Sequence, residues 1–157
     1  MAFDRDQFKD LIIRVTTAQK LCSEVSTNLI LGTYAKDSAF GTYLRQLNGG
    51  PALGGLQMEP DTEKDTWVNY LYLGRAAKRK AIYDISGVRS YNNSGALEWN
   101  IAYGICMCRL HYRRIADPFP AADDLEGLGW YWDTHYNRNP LKGTGGQSVE
   151  SLEKYVE

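Results

Sequence analysis

The sequence predicts a mainly α fold, a helical bundle around a central helix with a small hairpin lobe, and three observations carry that prediction. Apolar residues recur at steps of three and four through most of the chain, and no segment shows the two-residue alternation of a half-buried strand. The longest such run, Ala96 to Ile115, places Leu97, Ile101, Ile105, Cys108 and Tyr112 along one face and is the natural central helix. At 157 residues the chain has the length of one domain, so residues 1–157 are read as a single unit.

Each element has its own signal. Phe8, Leu11, Ile12 and Val15 fall at helical spacing behind Asp4 or Asp6, which predicts a first amphipathic helix near residues 4–20. Ser23 can cap a second helix, with Val25, Leu29, Ile30 and Ala35 as apolar positions and an end between Asp37 and Gly41. Asn48-Gly49-Gly50-Pro51 is a turn inside a Gly-rich stretch, the place for a minor hairpin near residues 42–58. Asp61 or Thr62 caps a third helix through Trp67, Tyr70 and Leu71, and a fourth spans Ala76 to Ile85 with Lys78, Arg79 and Lys80 outward. Residues 86–95 are loop by composition.

The central helix is stopped by Pro118 and Pro120, since each proline removes a backbone donor and restricts the residue before it. Asp123 or Asp124 starts a further helix over 125–136, in which positions 128, 131, 132 and 135 share one face for packing. A loop follows, and Ser148 opens a short closing helix.

A composition of 43% hydrophobic and 24% charged residues is that of a globular domain and excludes wholesale disorder. The net charge of -1 supplies no global attraction to nucleic acid or an anionic membrane, and no window approaches the roughly 20 apolar residues of a membrane span. Neither nucleic-acid binding nor membrane insertion is therefore expected. The first ten residues carry acids where a secretory signal has a basic region and an apolar core, which points to a protein made in a cytoplasm without a signal peptide. Cys106-x-Cys108 is too tight for an ordinary disulfide or zinc spacing, so Cys22, Cys106 and Cys108 are expected as reduced core thiols. Arg109, Arg113 and Arg114 are expected as a solvated helix edge. His111 and His135 lack ligand spacing and are expected as ordinary hydrogen-bonded histidines, with no metal.

Chemistry-bearing residues are densest between Gly32 and Thr62. Asp37-Ser38-Ala39-Phe40 closes an apolar run, Gly55-Leu56-Gln57-Met58 follows the turn, and Glu59 leads into Pro60-Asp61-Thr62. Later come Asn100-Ile101 with Gly104, and Tyr136-Asn137. In this order the four motifs, spread over residues 23–137, resemble those of the lysozyme-like lytic transglycosylases. The position of Glu59 is similar to that of an acid in the related goose-type lysozymes. Two departures stand out: the family has Glu where this chain has Asp37, and Ala-Gly where Arg138-Asn139 follow Tyr136-Asn137.

The resemblance implies a lysozyme-like α+β fold and cleavage of peptidoglycan without a metal or organic cofactor. It puts Asp37 in the place of the acid that protonates the leaving oxygen. Glu59 becomes a second carboxylate that positions a water, stabilises positive charge on the sugar, or replaces the acid. Ser38, Gln57, Asn100 and Tyr136 become contacts of the glycan strand or of the acid. The expected protein is a muramidase or lytic transglycosylase of the phage type, associated with a virion and its other proteins, whose activity is weakened by the shorter acid. The competing expectation is a non-catalytic virion or tail protein on the same scaffold, because a fold does not dictate an activity.

Overall fold

The computed structural model describes residues 3–91 and 95–137, and within them the chain is mainly helical. The elements are α1 (Arg5–Ala18), α2 (Glu24–Ser38), α3 (Pro60–Thr66), α4 (Ala76–Ser86), α5 (Ala96–Trp99), α6 (Ile101–Arg113) and α7 (Leu125–His135). The expected loop after Tyr136 and the closing helix from Ser148 lie outside the described residues, apart from Asn137.

The first two helices begin as their sequences dictate. The Asp4 carboxylate accepts from the Gln7 amide at the start of α1, and Ser23 caps α2 through a reciprocal pair of bonds with Ser26. Helix α2 is buried from Ser26 to Ala35 on every side, so its polar residues have to be satisfied within the protein. They are: the Thr33 hydroxyl donates to the Leu29 carbonyl at 2.7 Å and meets the Tyr112 hydroxyl at 2.7 Å, and the Asn28 amide donates to the Ala122 carbonyl at 3.0 Å.

Helix α6 is the other largely buried element and packs against α1, α2, α3, α4 and α5. Tyr103, Ile105, Cys106, Met107, Cys108, Leu110 and Tyr112 are all buried along it. The expected continuous helix over 96–115 is interrupted, however. Asn100 adopts extended backbone, separates α5 from α6, and caps α6 by accepting from the Tyr103 amide at 3.1 Å. Ile101, which would have faced the core in an unbroken helix, is exposed as a result.

Helix α3 starts at Pro60 with Glu59 in the cap position, two residues ahead of the expected Asp61 cap, because proline suits a first helical position whose N–H has no partner anyway. It widens into a π-helical turn over Trp67–Leu71 that seats Trp67 in the core. The indole donates to the Tyr103 hydroxyl at 2.9 Å, and that hydroxyl donates to the buried Glu63 carboxylate. Of the expected outward trio on α4, Lys80 is exposed and Lys78 and Arg79 are half-buried; Arg79 folds back and donates to the Leu71 carbonyl. The hairpin lobe is reduced to two antiparallel bridges, Arg45 with Leu53 and Leu53 with Met58, so no strand of regular length forms among the described residues.

Two glycines fix this lobe against the helices. A Cβ on Gly54, whose φ is +79°, would lie 2.0 Å from the Leu97 carbonyl oxygen, and one on Gly55 would lie 2.1 Å from the Tyr34 ring. Tyr34 in turn packs its ring centroid 4.0 Å from that of Phe8 and 5.4 Å from that of Phe40. Helix α2 ends in left-handed backbone at both Ala39 (φ 48°) and Phe40 (φ 59°). Non-glycine residues pay about 1–3 kcal/mol each in that region, which burial of Phe40 at 1% exposure offsets by about 2 kcal/mol.

Opposite effects follow at the two ends of this contact. Ala39→Gly should stabilise the fold by about 1 kcal/mol by removing left-handed strain at an exposed position. Gly55→Ala should destabilise it by about 1–3 kcal/mol through overpacking on Tyr34. Urea unfolding curves check both, and a neutral Gly55→Ala would mean that the lobe does not dock on Tyr34 as described.

Candidate functional site

A groove of about 490 Å³ opens between the end of α2, the bridged lobe and α7. Asp37 and Lys36 come from the last turn of α2, Tyr43, Asn48 and Gln57 from the lobe, and Trp132 from α7. Asp37 is half-buried, and its Oδ2 accepts a hydrogen bond from the Trp132 indole at 3.0 Å. Trp132 belongs to the buried face of α7 with Leu128, Tyr131 and His135, as the helical spacing predicts, while Trp130 points outward. The packing stripe thus supplies the donor that orients the groove's acid.

Beneath Asp37 lies a cluster of hydroxyl and thiol groups. The buried Tyr136 hydroxyl donates to the Leu56 carbonyl at 2.6 Å, tying α7 to the Gly-rich turn, and its ring stacks 5.4 Å from that of Tyr112. Burial, with the Asp37 charge adding to it, holds the Tyr112, Tyr136 and Cys108 protons on well above the ordinary values of those groups. The cluster therefore stays neutral, with Asp37 at its upper edge.

The other sequence-selected residues fall differently. Gln57 is buried in the groove wall with left-handed backbone (φ 49°), and its side-chain amide donates to the Gly54 carbonyl at 2.8 Å. Ser38 turns inward, donating to the Tyr34 carbonyl at 3.1 Å and accepting from the Gly41 amide at 2.9 Å, so it closes α2 and does not line the groove. Glu59 sits at the residue preceding α3, half-buried and outside the groove lining. Asn100 borders a separate apolar cavity of about 180 Å³ together with Tyr34, Leu56, Met58 and Gly104, and donates to the Ser86 carbonyl at 2.9 Å. Asp37 and Gln57 are thus brought to one groove with Tyr136 behind them, whereas Glu59 and Asn100 lie elsewhere.

Backbone strain concentrates at the same place. Of the five described non-glycine residues with positive φ, Lys20, Ala39, Phe40, Asn48 and Gln57, three line the groove and Phe40 adjoins it. Such strain persists only where surrounding packing enforces it, and it collects at binding sites. Sequence reasoning missed Tyr43, an exposed aromatic on the rim, and Lys36 beside the acid. An aromatic within a Gly-rich polar segment was the available signal for Tyr43; nothing local links Asp37 to Trp132.

Two further expectations need correction. The thiols are free, but Cys22 is exposed and only Cys106 and Cys108 are core residues. Arg109 is not part of a solvated edge: it is buried at 6% exposure and its Nε donates to the Leu21 carbonyl at 2.8 Å. His111 is hydrogen-bonded as expected, with Nε2 2.6 Å from the His135 carbonyl, whereas His135 is buried with Nε2 3.1 Å from the Asp117 carboxylate and no hydrogen bond at either ring nitrogen among the described residues. Comparison of the chain with family models, with curated proteins and with solved structures returned no match. No helix of the described residues is long and apolar enough to cross a membrane.

The three thiols should separate by reactivity, because the thiolate is the attacking form. Burial pushes Cys106 up to about 12 and Cys108 higher still. Burial is the largest single influence on Cys22 and raises it, but bonds from the Thr16, Thr17 and Thr27 hydroxyls and the charge of Arg109 together outweigh it and leave this thiol below its ordinary value. Titration with a coloured disulfide reagent near neutral pH should release one equivalent from the folded protein and three after denaturation. Rapid release of all three from the folded protein would contradict the burial beneath Asp37.

Proposed function

We propose that this protein is a peptidoglycan-directed glycosidase of the lytic transglycosylase type, of phage origin and carried in a virion, with Asp37 as its acid and with activity limited by that residue. The single observation supporting this reading is that Asp37 and Gln57, from two motifs of the resemblance, share an open groove with Tyr136 directly behind. Its volume lies within the about 300–1,000 Å³ of small-ligand sites, and Tyr43 on its rim offers a face for a sugar ring.

Asp37 is the one carboxylate among the described residues lining the groove. Hydrolytic glycosidases ordinarily work with two carboxylates, one as acid and one as base or nucleophile. With a single one, the proton goes from Asp37 to the bridging oxygen, the bond from the anomeric carbon to that oxygen breaks, and a hydroxyl of the same sugar adds to that carbon. That hydroxyl's proton returns to Asp37, and the product carries an anhydro ring. This arrangement favours the transglycosylase outcome over hydrolysis assisted by Glu59.

Asp is one methylene shorter than Glu, about 1.5 Å of reach, and a misplacement near 1 Å costs on the order of 100-fold in rate. The Trp132 bond to Asp37 favours a second reading, a non-catalytic virion or tail protein, since it commits one carboxylate oxygen to holding α7 on α2. Release of soluble muropeptides from purified peptidoglycan separates the two. Wild type should be weak, Asp37→Ala inactive, and Asp37→Glu faster than wild type by about 10-fold to 100-fold, with anhydro ends on the products. Activity that survives Asp37→Ala would move the acid to Glu59, and no activity in any version would favour the structural protein.

A further inference from the structure

A second cavity, of about 350 Å³, lies where the C-terminal end of α6 meets the 115–119 segment and α7, and its lining differs in character from that of the groove. Arg109 and Arg113, one helical turn apart on α6, both border it, with Phe119 and Tyr131 as aromatic walls. Arg109 is more than nine-tenths buried, its guanidinium carbon is 5.4 Å from the centre of the Phe119 ring, and its Nη1 has no acceptor among the described residues. Neither arginine forms an ion pair among the described residues. Asp117, the carboxylate at this cavity, has its exposed side chain 3.1 Å from His135 Nε2 without a hydrogen bond and forms no ion pair with either arginine, and its backbone carbonyl accepts from the Tyr131 hydroxyl at 2.9 Å.

Burying a guanidinium without a counter-charge costs several kcal/mol, and a second cation one turn away adds to that cost. Such a position is retained most simply when an anion completes it. The guanidinium fork matches the oxygens of carboxylate and phosphate, but one carboxylate neutralises a single cation, whereas a phosphate dianion neutralises both.

We propose that this cavity is an anion site that takes a phosphate group, held between Arg109 and Arg113 against Phe119 and Tyr131. It is separate from the Asp37 groove and does not depend on the glycosidase reading. Free and esterified phosphate share this chemistry, so two probes are used: inorganic phosphate and glycerol 3-phosphate, each titrated into the full chain at constant ionic strength and followed by calorimetry and thermal unfolding. At least one should bind saturably at a single site and raise the melting temperature where matched chloride does not; which binds tighter distinguishes free phosphate from an ester. Arg113→Ala, at an exposed position, should weaken binding by about tenfold, while Lys80→Ala on the distant α4 leaves it unchanged. Arg109→Lys keeps the charge but loses the fork, and if it folds it should bind less tightly as well. Absence of saturable binding of either probe, or equal weakening by Arg113→Ala and Lys80→Ala, would overturn the proposal.

Discussion

The structure depends on the mutual enclosure of α2 and α6. Both helices are buried on nearly every side, so wherever they or their neighbours carry a polar group its partner has to be another protein group. The Thr33 to Tyr112 hydrogen bond joins α2 to the last turn of α6, and leaving either hydroxyl unsatisfied there would cost about 1–3 kcal/mol. That constraint locks the direction of α2, and with it the point at which Asp37 leaves the core. Phe40, buried just beyond, clamps the exit against Phe8 and Tyr34.

The groove is built outward from that fixed point. Gly54 and Gly55 let the lobe approach the core closely enough for Gln57 to face Asp37's side of the cleft, and Tyr136 ties the turn down through the Leu56 carbonyl. Of the left-handed residues lining the groove, Gln57 is held by burial and its bond to the Gly54 carbonyl, whereas Ala39 and Asn48 are exposed. The result is one half-buried acid above neutral hydroxyl and thiol groups, an arrangement suited to a single proton transfer and short of a second carboxylate for activating water. The Arg109 cavity follows the opposite logic, with two positive groups bordering one concavity and neither in an ion pair among the described residues.

Much of the fold was legible along the chain. Caps at Asp4, Ser23 and Asp124, the apolar spacing of α1 and α7, and the end of α2 beside Asp37 are local features, set by residues within a turn of one another, and the structure places them as expected. The break at Asn100 was not legible, because an asparagine inside a periodic apolar run is tolerated in a helix and here the capping bond to Tyr103 and the fit of the Gly54 turn against Leu97 decide otherwise. Arg109 misled for a related reason: charge predicts exposure, and only the packing of Leu21 and Phe119 around it reverses that.

By itself, the sequence determined the helical class, the position of most helix starts, and the placing of Asp37 at a helix end before a Gly-rich turn. These depend on side chains within three or four positions, where propensity and capping act directly. Only the tertiary structure decided that Asp37 and Gln57 share a groove, that Trp132 from 95 residues away donates to that acid, and that Glu59 and Asn100 fall outside it. Which distant groups meet is settled by how enclosed helices pack and satisfy their buried polar atoms, and no local spacing encodes that.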